Sequence, residues 1–398
     1  MAGPLTGIRV IDLSTVVSGP LGTMLLADQG ADVIKVEPPS GDIARRTAGN
    51  GEFTAMFVSC NRGKRSLALD LKQPAGLAVL RRLITSADVL VQNFRPGTME
   101  RFGLNDAVIR SLNPRLVYLS ISGVGESGPY VGKRVYDPVI QALSGMADVQ
   151  ANQVSGRPRM VRTIVADKTT AVFAAQAICA ALFARERSGV GQNIRLSMLD
   201  TMVAYLWPEA MTQHTVVGSE AGAINPTARP DLIFETQDGF ITVGSVSDAE
   251  WRGLCGVLGR PQWIDDPRFN TPGKRSANAA ERITLVGEIL ATGHSQDWLD
   301  RLDAADVPCA PVLRRAEVMH NAQVINNRII EQFEQPSLGM VRQARPAARF
   351  ESTPAKIAGP APAIGEHTDA LLAELGYSTL EVDALKASRA AKSAASKA

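Results

Sequence analysis

Short apolar runs and helically spaced ones take turns along the N-terminal third of the chain. GIRVIDL (Gly7 to Leu13) reads as a strand. Pro20 to Gln29, PLGTMLLADQ, has helical spacing, with Pro20 suited to a first turn and Gly30 to a stop. ADVIKVE then gives a second strand that ends at Glu37. Strand, helix and strand in this order make a βαβ unit, which predicts a parallel sheet with its ligand edge at the carboxyl ends of the strands. The pattern continues with strand RSLALDL (Arg65 to Leu71), helix Pro74 to Ser86, strand DVLVQNF, a turn at Arg95-Pro96-Gly97, a short helix, and strand RLVYLSIS (Arg115 to Ser122). Long helices are expected over Lys168 to Arg187, stopped by Gly189, and over Met198 to Val216.

The character changes from about Ala221. LIFETQDGFITVGSV resembles a hairpin around Asp238-Gly239, and short helices follow near Trp251 to Leu258, Ala277 to Ala291 and Gln296 to Ala304. Residues 1–205 are therefore read as one α/β domain and residues 221–312 as a smaller α+β domain. Residues 313–398 run on through a proline-punctuated connector, Phe350 to Ile364, to a low-complexity tail, ALKASRAAKSAASKA, expected to be frayed.

Bulk composition narrows the partners. At 398 residues two domains are the expectation, and 45% hydrophobic residues give ample core. A net charge of +2 shows no general affinity for nucleic acid or an anionic membrane. The four cysteines (Cys60, Cys179, Cys255, Cys309) lie far apart without a C-x-x-C, which suits free thiols in a reducing compartment. The four histidines show no H-x-x-x-H spacing, so no metal site is expected. MAGPLTG lacks the features of an export signal, and the nearly apolar run Ala171 to Ala184 is short for a bilayer and contains Gln176. The expectation is a cytoplasmic enzyme without membrane or nucleic-acid partners.

Three features carry candidate chemistry. The first is SISGVGESGPY, in which Gly123, Gly125 and Gly128 spell G-x-G-x-x-G. A dinucleotide fingerprint needs a helix opening on the last glycine, and Pro129 follows instead, so a loop is expected. Glu37 could hold a ribose, but STVVSGP after the first strand is poor in glycine, which favours a surface acid before Pro38-Pro39. The second is a set of cations near strand ends: Lys72, Arg95, Arg101, Lys133 and Arg134, with Phe94 among them. Singly each suits a solvated surface, and together they suggest a phosphorylated, nucleotide-bearing ligand. The third is Asp167 in TIVADKTTAVFAAQAICAALF, where it opens the most hydrophobic helix. It is either that helix's N-cap or a nucleophile kept ionised by the helix's positive end.

In this order the motifs resemble the class III CoA-transferases, the formyl-CoA and carnitine CoA-transferase family, whose fold is shared with α-methylacyl-CoA racemases. The resemblance runs almost the full chain: GIRVIDL, GADVIKVEPPSGD, NRGKRSLALDLK, VQNFRPGTMERFGL, GVGESGPYVGKRVYD, IQALSGM, GVGQNIRLSMLD, PCAPV and APAIGEHTDALLAELGY. It implies a Rossmann-like large domain with a parallel sheet, completed by the C-terminal segment, plus the small domain, in an interlocked homodimer. The active site would lie between one subunit's large domain and the other's small domain. Asp167 falls at the position of the catalytic, acylated aspartate. Val16, Val17 and Ser18 fall at the loop beside the thioester, with Val17 where some members carry glutamine. Leu69, Lys72, Asn93, Phe94, Arg95, Arg101 and Arg134 fall at or beside positions that line CoA, and Tyr136 and Asp137 where transferases carry tyrosine beside an acid. Pro38 departs from members with arginine there, leaving Arg45 or Arg46 as candidates for the 3′-phosphate. The gate loop corresponds to Gly244 to Ser247, GSVS, which is poor in glycine.

The reaction so implied moves CoA from an acyl-CoA donor to a free carboxylic acid through aspartyl anhydride and aspartyl-CoA thioester intermediates. Backbone N–H groups near Val17, in the Gly123 to Gly128 loop or at Gly244 would stabilise the oxyanions. Coenzyme A and acyl-CoA enter as substrates, and no permanently bound cofactor is expected. Two rivals remain. A 2-methylacyl-CoA racemase would pair Asp167 with a histidine base, whereas residue 136 is tyrosine, with a pKa of about 10. A non-catalytic CoA-binding protein would not need Asp167.

Overall fold

A computed structural model of the chain describes residues 3–46, 52–152, 155–218 and 231–394. Along the chain the strands are β1 (Arg9–Asp12), β2 (Asp32–Glu37), β3 (Arg65–Leu69), β4 (Val89–Gln92), β5 (Val117–Ser122), β6 (Asn193–Ser197), β7 (Ile233–Glu235), β8 (Phe240–Val243), β9 (Cys309–Pro311), β10 (Ile330–Gln335), β11 (Gly339–Ala344) and β12 (Ala391–Lys392). The central sheet has the order β12-β3-β2-β1-β4-β5-β6, parallel throughout except for β12. The chain builds outward from β1 to β3 on one side, then crosses back to place β4 on the other side of β1. In an open parallel sheet such a reversal leaves a crevice at the carboxyl ends of the two central strands.

Apolar residues run continuously through these strands because both faces are covered. Ile11, Ile34, Leu67 and Leu90 pack with Val79, Leu80 and Leu83 of the helix Pro74–Thr85 on one face. Their neighbours Val10, Val33, Val89 and Val117 pack with Leu26 of the helix Ser18–Asp28 and Ile178 of the helix Val165–Ser188 on the other. The 24-residue helix Val165–Ser188 outruns the expected apolar stretch and is long and apolar enough to cross a membrane. In this fold its inner face is core, and the buried Arg185 near its end pairs with Asp88 at 2.9 Å.

Several expectations change. The helix from Met198 stops at Leu206, not Val216: Trp207 still has helical backbone, but Pro208 has no N–H to continue the ladder. The tail is not frayed over its described part. The helix Thr379–Ala387 leads into β12, whose Ala391 and Lys392 pair antiparallel with Leu69 and Ala68. Small side chains suit that seat, and Ala390 and Ala391 are buried. Residues 395–398 of the tail lie outside the described residues. Glu37 is neither a ribose ligand nor a surface acid: it is buried and receives Arg45 (2.6 Å), Ser66 Oγ (2.7 Å) and the Asp42 N–H (2.9 Å).

The chain forms two compact units, residues 1–223 with 329–398, and residues 224–328. The second unit thus continues past Val312, and its expected start at residue 221 lies outside the described residues. It is built on the antiparallel sheet β7-β8-β9, with the expected hairpin at Asp238-Gly239, over a core where Trp251 stacks on Trp263.

Candidate functional site

A cavity of about 780 Å³ opens at the crevice between the ends of β1 and β4. Thr15 and Val16 follow β1, Asn93 to Pro96 follow β4, and Ser122 ends β5 with Gly123 to Gly125 following it. The rest of the wall includes Val131 to Tyr136, Ser18 and Asp167. The G-x-G-x-x-G segment is a loop, as Pro129 requires, and it closes one side of this cavity. Gly123 is fixed there by crowding, since a Cβ would lie 1.9 Å from Val135 Cγ2.

Two parallel helices set the position of Asp167. A Cβ at Gly22 would lie 3.1 Å from the Ala171 carbonyl oxygen and 3.3 Å from Ala174 Cβ, so the backbones approach closely at this point. Gly22 is four residues after Ser18, and Ala171 is four after Asp167. One turn back from the contact, the two N-termini therefore meet. The Ser18 N–H faces the Asp167 carboxylate there.

Asp167 is not the cap of its helix. The helix begins at Val165, and its N-cap, Ile164, offers no side-chain acceptor. Asp137 takes over the task from outside: its Oδ2 accepts the N–H groups of Ala166 (2.7 Å) and Asp167 (3.2 Å). Its Oδ1 accepts from Gln141 Nε2 at 2.5 Å. The Asp167 carboxylate is thereby left on the cavity wall. Burial first, and then the nearby Asp137 charge, push its pKa up to about 6, while the Ser18 N–H pulls it back. Such a group is ionised at neutral pH and poorly solvated, a combination that suits a nucleophile.

The turn between β1 and the helix Ser18–Asp28 is strained. Val16 has φ 70°, a left-handed conformation that costs a β-branched residue on the order of 1–3 kcal/mol. Polar groups hold it residue by residue. Lys35 Nζ donates to the Ser14 carbonyl (3.0 Å), and Asn93 both accepts from the Thr15 N–H (2.9 Å) and donates to its carbonyl (2.8 Å). Asp42 Oδ1 accepts the Val16 N–H at 3.3 Å. Beneath lies a buried charged cluster: Lys35 pairs with Asp42 (2.9 Å) and Lys64 with Asp12 (2.8 Å), all with fully buried side chains. Sequence reasoning passed over these four. The available signal was an acid and a lysine inside two apolar strands, VIDL and VIKV, whose Asp12 and Lys35 are register partners.

The match to known proteins decides what this cavity belongs to. The model of CoA-transferase family III matches residues 5–368. The chain belongs to CoA-transferase family III. The succinate–glutarate CoA-transferase of Agrobacterium fabrum is 35% identical over 384 residues, covering 94% of this chain and 96% of that protein. The succinyl-CoA:mesaconate CoA-transferase of Haloarcula hispanica is also 35% identical, covering 95% and 98%. Among solved structures, Rv3272 from Mycobacterium tuberculosis superposes with a TM-score of 0.82 at 31% identity, covering 93% of this chain and 99% of that one. A CAIB/BAIF family protein from Brucella suis gives 0.80 at 31% identity, covering 94% and 100%. CoA-transferases are enzymes whose substrates are CoA thioesters, and this family III chain is one of them.

The cavity of this family III enzyme gathers most of the anticipated residues. Val16, Ser18, Asn93, Phe94, Arg95, Arg134, Tyr136 and Asp167 line it, with Lys133 as a further cation. Asp137 and Val17 are buried directly behind that wall. Leu69, Lys72 and Arg101 are not on it. Leu69 is core, and Lys72 follows β3, two strands from β1. Exposed Arg101 bonds Thr98 Oγ1 at 2.7 Å. Arg45 is excluded as a phosphate ligand by its burial against Glu37 and Phe57, whereas Arg46 is exposed. Two of the anticipated oxyanion donors are already engaged: Gly125 N–H bonds Ser122 Oγ (3.0 Å), and Gly244 N–H bonds the Pro308 carbonyl (3.0 Å).

Proposed function

We propose that this protein moves CoA from an acyl-CoA donor to a free carboxylic acid, with Asp167 carrying first the acyl group and then CoA. The observation that carries this reading is the Asp167 carboxylate itself, relieved of capping by Asp137 and held on the cavity wall. The carboxylate attacks the donor thioester and CoA thiolate leaves, giving a mixed anhydride. The thiolate attacks the aspartyl carbonyl, forming an aspartyl-CoA thioester and releasing the donor acid. The acceptor carboxylate attacks that thioester and expels the thiolate again. Attack of the thiolate on the acceptor's carbonyl then gives the new acyl-CoA and restores Asp167. Each step exchanges one acyl–heteroatom bond for another, so water must be kept out.

Arg95, Lys133 and Arg134 supply positive charge for CoA phosphates or a substrate carboxylate. Relatives named for succinyl-CoA and glutarate make these the first donor and acceptor to try. The reading is tested by incubating the protein with succinyl-CoA and a panel of carboxylic acids and identifying the new thioesters by mass spectrometry. Loss of α-proton chirality in a 2-methylacyl-CoA, without transfer to any acid, would favour the racemase reading instead. The lining carries Tyr136 and no histidine, which supports transfer.

A pH profile follows from the same residue. Only the carboxylate form attacks, so kcat/KM should be level above the Asp167 pKa of about 6 and fall tenfold per pH unit below it. An acid limb near an ordinary aspartate value of about 4 would contradict a buried nucleophile. A homodimer is part of the same proposal. It is supported by the exposed apolar residues Val172 and Phe183, 57% and 61% exposed, on the outer side of the Asp167 helix. Sedimentation equilibrium should give twice the 42.4 kDa chain mass, and a monomer would remove this part.

A further inference from the structure

The strained turn is held by a buried ion pair that the reaction as written does not use. Lys35 and Asp42 each have fully buried side chains and meet at 2.9 Å. Taking two charges out of water is costly unless their remaining hydrogen bonds are satisfied. Here the remaining bonds go to the turn. Lys35 Nζ takes the Ser14 carbonyl, and Asp42 Oδ1 takes the N–H of Val16 together with that of Ala44 (2.9 Å). The pair is itself fixed, since the Asp42 N–H bonds Glu37 Oε2 at 2.9 Å and Glu37 is locked by Arg45. These two grips hold the backbone leading into Val16, which has φ 70°, and two residues later Ser18 opens the helix whose Gly22 packs on Ala171, one turn on from Asp167.

We propose that Asp42, anchored by Lys35, is a positioning residue: by holding Val16 in its left-handed conformation it aims the Ser18 N–H at the Asp167 carboxylate. Its catalytic meaning rests on the reading of Asp167 as the nucleophile. The groups that act on the Asp167 carboxylate are Asp137 and the Ser18 N–H, and its charge in turn reaches the Cys60 thiol on the helix Ala55–Asn61. Of these the Ser18 N–H lowers the Asp167 pKa, so misaiming it should raise that pKa.

The test follows the Asp167 carboxyl by 13C NMR of aspartate-labelled protein, with its resonance assigned by its absence in Asp167→Asn. In Asp42→Ala the Asp167 pKa should rise by about half a unit or more. In the same variant kcat should fall about tenfold, with CoA affinity unchanged. Should Asp42→Ala fail to fold, Val16→Gly/Lys35→Met/Asp42→Ala decides, because it leaves no buried ammonium unpaired and glycine adopts φ 70° without strain. That triple variant should fold and recover the wild-type titration. An unchanged Asp167 pKa in Asp42→Ala, or a triple variant that is unfolded or keeps a raised Asp167 pKa, would each overturn the proposal. The titration needs no turnover, so a wild type that titrates as described but never becomes acylated would refute the nucleophile reading and leave the positioning claim to stand.

Discussion

Asp167→Asn should give a folded protein that binds CoA and has lost turnover by at least about 1,000-fold. Asparagine has nearly the same shape and can accept the Ser18 N–H, but an amide cannot form the anhydride. Had Asp167 been a helix cap, the change would have been mild, because asparagine caps about as well. The cap is Asp137, so no such reading remains. Stability should move the other way. The fold raises the Asp167 pKa to about 6, so it disfavours the carboxylate relative to the unfolded chain. That cost is absent below the unfolded value of 3.8 and complete above about 6. The asparagine variant should therefore gain on the order of 1–3 kcal/mol near pH 7.5, and this gain should shrink toward pH 4. Denaturant melts at the two pH values measure it. A destabilised variant at pH 7.5 would mean that the site stores no such cost.

The second large effect is expected beneath the site. Lys64→Met should destabilise the protein by about 3–5 kcal/mol at neutral pH. Lys64 Nζ pairs with Asp12 and also donates to the Pro20 carbonyl (2.8 Å) and Asn61 Oδ1 (2.9 Å), tying the start of the helix Ser18–Asp28 to the end of β1. Burial alone would raise the Asp12 pKa. Lys64, then Lys35, with the hydroxyl of Ser14, instead hold it at about 2. In the wild type this contribution is complete above 3.8 and is lost as pH falls through about 2. Without Lys64 the buried carboxylate loses its main partner, so protonating it becomes a relief. The penalty measured in urea should therefore be smaller at pH 4 than at pH 7. An equal penalty at both would assign the loss to packing alone.

The parallel sheet was legible because strands buried on both faces must be apolar throughout, as VIDL, DVIKVE and DVLVQ nearly are. The cavity's place followed from the βαβ order, since the crevice forms where that order reverses. Asp167 stood out by its position before an apolar helix, but its role could not be read locally. The residue that frees it, Asp137, lies 30 residues upstream and reaches it only through the tertiary fold. The buried charged cluster was hidden for a related reason. Lys35 and Lys64 look like ordinary solvated cations until register places Lys35 beside Asp12 and the turn folds over both. Lys72 and Arg101 show the opposite limit of strand-end reasoning: Lys72 follows β3, two strands from β1, and Arg101 ends the helix Thr98–Arg101 beyond the β4 turn, so neither lines this cavity. The alanine-rich tail looked unable to order itself, whereas small side chains are what its seat on β3 accepts.

The central claim, that Asp167 forms a covalent bond to the acyl group, can be measured on the residue itself. The wild type would be incubated with succinyl-CoA, quenched with hydroxylamine and digested, and the peptides analysed by mass spectrometry. An activated aspartyl carbonyl gives a hydroxamate under these conditions. The expected result is a hydroxamate on the peptide containing Asp167, absent without succinyl-CoA and absent in Asp167→Asn. Turnover of succinyl-CoA with the label on another residue, or with no label at all, would contradict it.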